Sequence, residues 1–247
     1  MEAIQYFDGL GRPVQTVQRG ITPNAADLVA LQEYDAFGRE SNSWLPAVLT
    51  GNNGAYADPA SVMAKAKAAA TNGGVSDANP FSKPVYESSP LNRVISQYGP
   101  GADWHKDYGT TSKRVSTEYL TNSQATELVC SLFKVTGSGT STGLAQSGTY
   151  ANGELYVTKV TDEDSNVSYE FKDKLGQVVL TRQASMIGNH DTYYVYDDFG
   201  NLSYVLPPMA VDTISKAGVK GELIELWGYL YKYDNRNRCV IKKLPGT

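Results

Sequence analysis

Two cysteines and two histidines in 247 residues leave little material for metal or redox chemistry. Cys130 and Cys239 stand 109 positions apart, with no C-x-x-C or other ligand spacing around them. Both fall in segments that read as strands, so two buried free thiols are expected in preference to a disulfide. His105 and His190 have neither H-E-x-x-H nor H-x-H context and read as structural residues. The chain has no run of Lys or Arg, a net charge of −4 and a pI near 5.3. Without a basic patch there is no long-range attraction to a phosphate backbone, and no nucleic-acid partner is expected. No apolar stretch approaches the roughly 20 residues of a membrane span, so membrane insertion is not expected. The opening "MEAIQYFDGLGRP" has neither the basic start nor the apolar centre of a signal peptide, which leaves a cytoplasmic protein or a piece of a larger one.

What the chain does have is a repeat. "YDAFGRE" at 34–40 returns as "YDDFGNL" at 196–202, and two further copies are "FDGLGRP" (Phe7 to Pro13) and "KDKLGQV" (Lys172 to Val178). Two degenerate copies follow the same grammar: "YDNRNRC" has Asn237 where Gly is expected, and "YESSPLNRV" has Asn92 there after a two-residue insertion. Asp at the start of a type I turn can accept bonds from backbone N–H groups further on, while Gly or Asn three residues later tolerates positive φ and closes a bulge. Each copy therefore predicts a hairpin turn. Flanks such as "YYVYD" and "LSYVLP" are aromatic and β-branched, as strands require. Proline stops follow at Pro46, Pro100, Pro207 and Pro245. Leu10, Phe37, Leu175 and Phe199 lie inside the turns, and their apolar character predicts that neighbouring hairpins bury them. The turn acids Asp8, Asp35, Glu87, Asp173, Asp197 and Asp234 are accounted for by the turns themselves.

Insertions separate the copies. "DPASVMAKAKAAATNGG" (58–74) predicts a helix over 58–72, capped by Asp58, started by Pro59 and stopped at Asn72-Gly73. A second short helix is expected between Asp212 and Leu226, before the strand "GYLYKYD". Val115 to Tyr119 and Leu128 to Val135 read as strands, and "TGSGTSTGLAQSGT" reads as a flexible loop. The fold class is thus mainly β, an array of antiparallel hairpins with one or two inserted α-helices. The domain reading is one repeat module over 1–247, with an alternative split into 1–101, carrying the insertion 58–72, and 102–247.

Signals of catalysis are sparse. "TGSGTSTG" lacks the Gly-Lys-(Ser/Thr) ending of a phosphate loop. Asp162, Glu163, Asp164 and Asn166 keep part of a calcium-loop rhythm, but Val167 stands where such a loop needs Gly, so a surface turn is preferred. No catalytic, metal-binding or cofactor-binding residue is assigned, and no cofactor is expected. Seventeen Tyr and three Trp could form stacking platforms for sugars, although cross-strand pairing explains most of them equally well.

Repeated Y-D-x-x-G-(R/N), together with "YFDGLGRPVQTV", "YEFKDKLGQVVLTR", "YDDFGNLSYVLPP" and "YKYDNRNRCVIKKLPG", resembles the RHS or YD-repeat family of large bacterial surface and secreted proteins. The resemblance runs along nearly the whole chain. It implies hairpin repeats wound into a curved, twisted sheet, which in long members closes as a hollow shell around a C-terminal toxin or effector. The family's autoproteolytic aspartate motif has no matching segment, so no catalytic residue is carried over. The resemblance implies a non-catalytic structural module of an exported protein, extracellular or on the cell surface, that scaffolds, displays or encapsulates an effector. Its partners would be the remainder of its own polypeptide, further repeats and the effector domain. The alternative is a carbohydrate- or cell-surface-binding adhesin module with surface glycans as partners. Both ends are expected to continue into further repeats, and the isolated module is expected to self-associate through a strand edge.

Overall fold

The computed structural model describes residues 2–68, 76–106, 113–125 and 127–246. They form two compact units, one of Met1–Ser116 with Asp162–Asp164 and one of Thr117–Thr161 with Ser165–Thr247. Each is an open antiparallel sheet of hairpins with helix laid on it.

The first unit contains β1 (Glu2–Phe7), β2 (Pro13–Arg19), β3 (Asp27–Tyr34), β4 (Glu40–Trp44), β5 (Ala47–Leu49), α1 (Pro59–Lys67), β6 (Phe81–Tyr86) and β7 (Val94–Tyr98). Strands pair in the order β1-β2-β3-β4-β6-β7, the start of β8 (Arg114–Thr121) follows β7, and β5 adds to β3. Period-2 alternation puts Gln15 and Val17 of β2, and Asp27, Val29 and Leu31 of β3, on the buried face. Helix α1 covers that face with Val62 and Ala66, and Asp58 caps it by accepting from the Ser61 N–H at 3.0 Å. Its described end is Lys67, and the stop foreseen at Asn72-Gly73 lies outside the described residues. Two polar groups enter this core fully bonded. Gln15 Nε2 donates to the Ala57 carbonyl at 2.9 Å while its Oε1 accepts from the Ala57 N–H at 2.8 Å. Asp27 accepts from the Gly54 and Gly20 N–H groups at 2.6 and 2.8 Å, which hold its carboxyl below the usual range.

The second unit takes in the end of β8, then β9 (Ser131–Thr136), β10 (Gly143–Thr149), β11 (Tyr156–Thr161), β12 (Val167–Lys172), β13 (Val178–Ser185), β14 (Gly188–Tyr196), β15 (Leu202–Leu206), α2 (Pro208–Ala217), α3 (Gly221–Trp227), β16 (Tyr229–Tyr233) and β17 (Cys239–Lys243). Strand β8 is followed in the sheet by β11 to β17 in sequence order, while β9 and β10 form a separate two-stranded sheet among the described residues. The core gathers Phe133, Leu155, Phe171, Leu180, Leu206 and Ile214 among others. Arg182 and Asp191, opposite each other on β13 and β14, form a buried bidentate pair at 2.7 Å, and a further Arg182 N–H donates to the Glu127 carbonyl at 2.8 Å.

Four expectations need correction. The Gly/Ser/Thr tract is half of a hairpin: its residues from Gly143 to Gln146 register against Thr136 to Phe133, with Gly137 and Gly139 at positive φ supplying the bend. The strand expected from Leu128 begins at Ser131, because the Leu128 and Val129 N–H groups turn back to the Ala125 carbonyl. The single helix expected between Asp212 and Leu226 is two, making three α-helices among the described residues; Gly218 at φ 74 ends α2 and accommodates the break. The sulfurs are unbonded, but only Cys130 is buried. Burial pushes the Cys130 thiol up to about 12, which keeps it inert. Cys239 is exposed because β17 has only β16 beside it among the described residues.

Candidate functional site

The repeated turns each join two antiparallel strands of a hairpin, three in each unit: β1–β2, β3–β4 and β6–β7, then β12–β13, β14–β15 and β16–β17. Their local geometry follows from the Asp. In the second copy the Asp35 N–H donates to the Arg39 carbonyl at 2.8 Å and the Gly38 N–H donates to the Asp35 carbonyl at 2.9 Å. Asp35 Oδ1 accepts from the Phe37 and Arg39 N–H groups at 2.9 and 3.0 Å. The same pair of carboxylate bonds recurs at Asp8, Asp173, Asp197 and Asp234. Gly11, Gly38, Gly176 and Gly200 have φ between 79 and 83, and Asn92 and Asn237 take 54 and 56. The turn, its bulge and the Asn-for-Gly exchange are therefore as the sequence predicts.

Burial of the turn apolar residues is not. Leu10, Phe37, Leu175 and Phe199 are 78 to 85% exposed. A side chain at the third turn position points away from the sheet, and the space between neighbouring hairpins is taken by two other side chains. One is the residue after Gly. Arg12, Arg39, Arg93 and Arg238 each bond the acid of their own turn, and Asn201 does so through its amide. Arg238 and Arg93 pull the carboxyls of Asp234 and Glu87 down to about 2. The other is the Tyr before the Asp. Its hydroxyl donates to a backbone carbonyl just past the preceding turn: Tyr34 to Pro13 at 2.9 Å, Tyr86 to Glu40 at 3.0 Å, Tyr196 to Val178 at 3.1 Å and Tyr233 to Leu202 at 2.9 Å. In the first unit the guanidinium also lies over the next tyrosine, Arg12 over Tyr34 and Arg39 over Tyr86, each 4.4 Å from the ring centre.

This clamp is what the spacing Y-D-x-x-G-(R/N) encodes beyond a turn. The recurrence of Tyr one before Asp, and of a hydrogen-bonding residue one after Gly, was the signal that could have identified it. Gly has a second duty in it: a Cβ on Gly38 would lie 2.9 Å from Arg12 Nη1, and one on Gly200 would lie 3.2 Å from Gln177 Nε2. The hydroxyls of these four repeat tyrosines are thereby committed between hairpins. Other candidates remain apart from this edge. His190 is exposed on β14, and His105 meets the edge of Phe81 at 5.9 Å. Asp162 turns back to accept from the Asp164 N–H at 2.9 Å, with Ser165 at φ 67, in an exposed turn. Among the described residues no group of three His, Cys, Asp or Glu could hold a metal ion.

Comparison with known proteins agrees with this architecture. Residues 1–120 match the family model Domain of unknown function (DUF6443). No curated protein matches the chain. Among solved structures, TcdB2-TccC3-TEV is similar over 98% of this chain and 10% of its own, with a TM-score of 0.55 and 13% identity. TcdB2-TccC3 without its hypervariable C-terminal region is similar over 97% and 11%, at 0.52 and 15%. The Photorhabdus luminescens Tc holotoxin pore is similar over 97% and 11%, at 0.51 and 13%. The chain has the fold of these toxin structures. It spans about a tenth of their length.

Proposed function

We propose that the chain is a non-catalytic structural module of a large exported bacterial protein of RHS type, which scaffolds and encloses an effector domain carried elsewhere in the same polypeptide. The observation that carries this reading is the clamp: at each of four hairpin junctions a tyrosine hydroxyl is spent on the backbone of the preceding hairpin. Such a motif makes wall, because each hairpin recognises its neighbour and adds a fixed increment of sheet. The first acid of each turn is bonded within that turn, in five of the six also by the residue after Gly or Asn, which supports a structural use of these groups. The fold shared with TcdB2-TccC3 supports a place in a toxin-like assembly, and the length ratio supports a role as one segment of a longer wall. An extracellular location follows from that role.

Protease protection tests it. In the full-length protein the effector domain should survive a protease dose that degrades the same domain expressed without the repeats. Equal sensitivity in the two contexts would overturn the enclosing role.

A further inference from the structure

A cavity of about 380 Å³ opens on the turn edge of the second unit. One wall is the bend of the β9–β10 hairpin, with Gly137, Ser138, Gly139 and Thr142; the other is made by the last two turns. Comparing those turns with the first unit shows what the cavity lacks. There Arg39 bonds Asp35 at 2.7 Å and Asn92 Oδ1 at 3.0 Å, and its guanidinium carbon lies 4.4 Å from the Tyr86 ring and 5.0 Å from the Phe37 ring. The equivalent residues in the second unit are Asp197, Asn237, Tyr233 and Phe199, and all of them line the cavity. The equivalent of Arg39 is Asn201. Its amide reproduces the inner bonds, to Asp197 Oδ2 at 3.0 Å and to Asn237 Oδ1 at 3.2 Å. It supplies neither the bulk nor the charge of a guanidinium. The surroundings of an arginine are kept and the arginine is missing.

Two further groups extend the site beyond the first-unit pattern. Asp198 replaces Ala36, placing at the cavity an exposed carboxylate with no hydrogen-bond or ion-pair partner among the described residues. Thr142 Oγ1, on the opposite wall, is buried without a hydrogen-bond partner. The one cation in the lining, Lys232, is tied to the Thr140 carbonyl at 2.7 Å and serves to hold the bend.

We propose that this cavity receives the guanidinium of an arginine side chain from a partner polypeptide, stacked between Phe199 and Tyr233 and ion-paired with Asp198. A planar cation that stacks on aromatic faces and pairs bidentately with a carboxylate fits the lining better than a compact ammonium. It also gives exposed Phe199 a use, which the turn itself does not require.

The intact chain can be titrated with Nα-acetyl-arginine amide and, in parallel, with the citrulline analogue, which has nearly the same shape without the charge. Amide chemical shifts in the last two turns and in the β9–β10 bend should move saturably with arginine, with affinity at least about tenfold above citrulline. Asp198→Asn should lower the affinity about tenfold. Asn201→Arg, which restores the residue found in the first unit, should fill the site from within and abolish binding while the fold is retained. Equal binding of the two analogues, wild-type affinity in either variant, or shifts confined to other surfaces would overturn the proposal. A response to a methyl glycoside in place of arginine would assign the cavity to saccharides and overturn it as well.

Discussion

Single residues carry the junctions between hairpins, and their energetics are accessible one at a time. Removing the hydroxyl of Tyr34 or Tyr233 by Phe substitution leaves the ring packed and a backbone carbonyl without its donor. Each should cost about 0.5–1.5 kcal/mol in denaturant unfolding; no loss at either site would show that the hydroxyl clamp is decorative. Phe199→Ala should be close to neutral, within about 0.5 kcal/mol, since the ring is exposed. The turn acids set the acid limit. Asp234 and Glu87 lie at about 2, below their ordinary values of 3.8 and 4.5, so their contribution is complete above those ordinary values and is lost as pH falls toward 2. Melting temperature should therefore fall across that window, and the double variant Asp234→Asn, Glu87→Gln should show a flatter profile there. At this scale the sequence was legible wherever a residue's role is local. The Asp and Gly of each turn could be read directly, because their role is set by φ and by N–H groups within four positions. The roles of Tyr and of the residue after Gly could not, because their partners sit on another hairpin. Apolar Leu10 and Phe37 were misread because hydrophobicity alone does not say which way a turn side chain points.

Elements were legible in proportion to their patterning. Strands such as β3 alternate, prolines follow β4, β7, β15 and β17, and α1 carries its cap and proline in sequence. Strand β10 is hidden because its Gly, Ser and Thr residues have the composition of a linker, and only pairing with β9 makes it a strand. The ion pair of β13 and β14 was equally invisible, since nothing local distinguishes Arg182 or Asp191 from surface charges. Its energetic weight is nonetheless large: Arg182 also carries the loop before β9 through Glu127 and lies 5.6 Å from the Phe171 ring. Asp191→Ala leaves a buried guanidinium uncompensated and should cost about 3–5 kcal/mol. Replacing both residues by apolar side chains of similar size should cost less than that single change. If the double replacement is the worse of the two, the pair is a net source of stability.

At the scale of the whole molecule, the two units keep separate books of apolar contact. The first buries Val17, Val29, Leu31, Trp44 and Val62 in one cluster, and the second buries Phe171, Leu180, Leu206 and Ile214 in another, with no buried residue in common. Repeat proteins gain stability as a sum of local terms, and regions with their own cores open as their own cooperative units. A cavity made in one cluster should then be felt mainly there. Leu180→Ala removes a fully buried side chain from the second cluster and should cost about 2–5 kcal/mol. In native-state hydrogen exchange it should lower protection across β12 to β16 while β2 and β3 keep theirs. Val29→Ala should do the reverse, with α1 and β5 losing protection along with β3. The comparison bears on the proposed wall role, under which separately cooperative units would let a wall lose one without releasing what lies behind the next. Uniform loss of protection over both units from either substitution would show a single cooperative body, and with it that damage to any hairpin is damage to the entire segment.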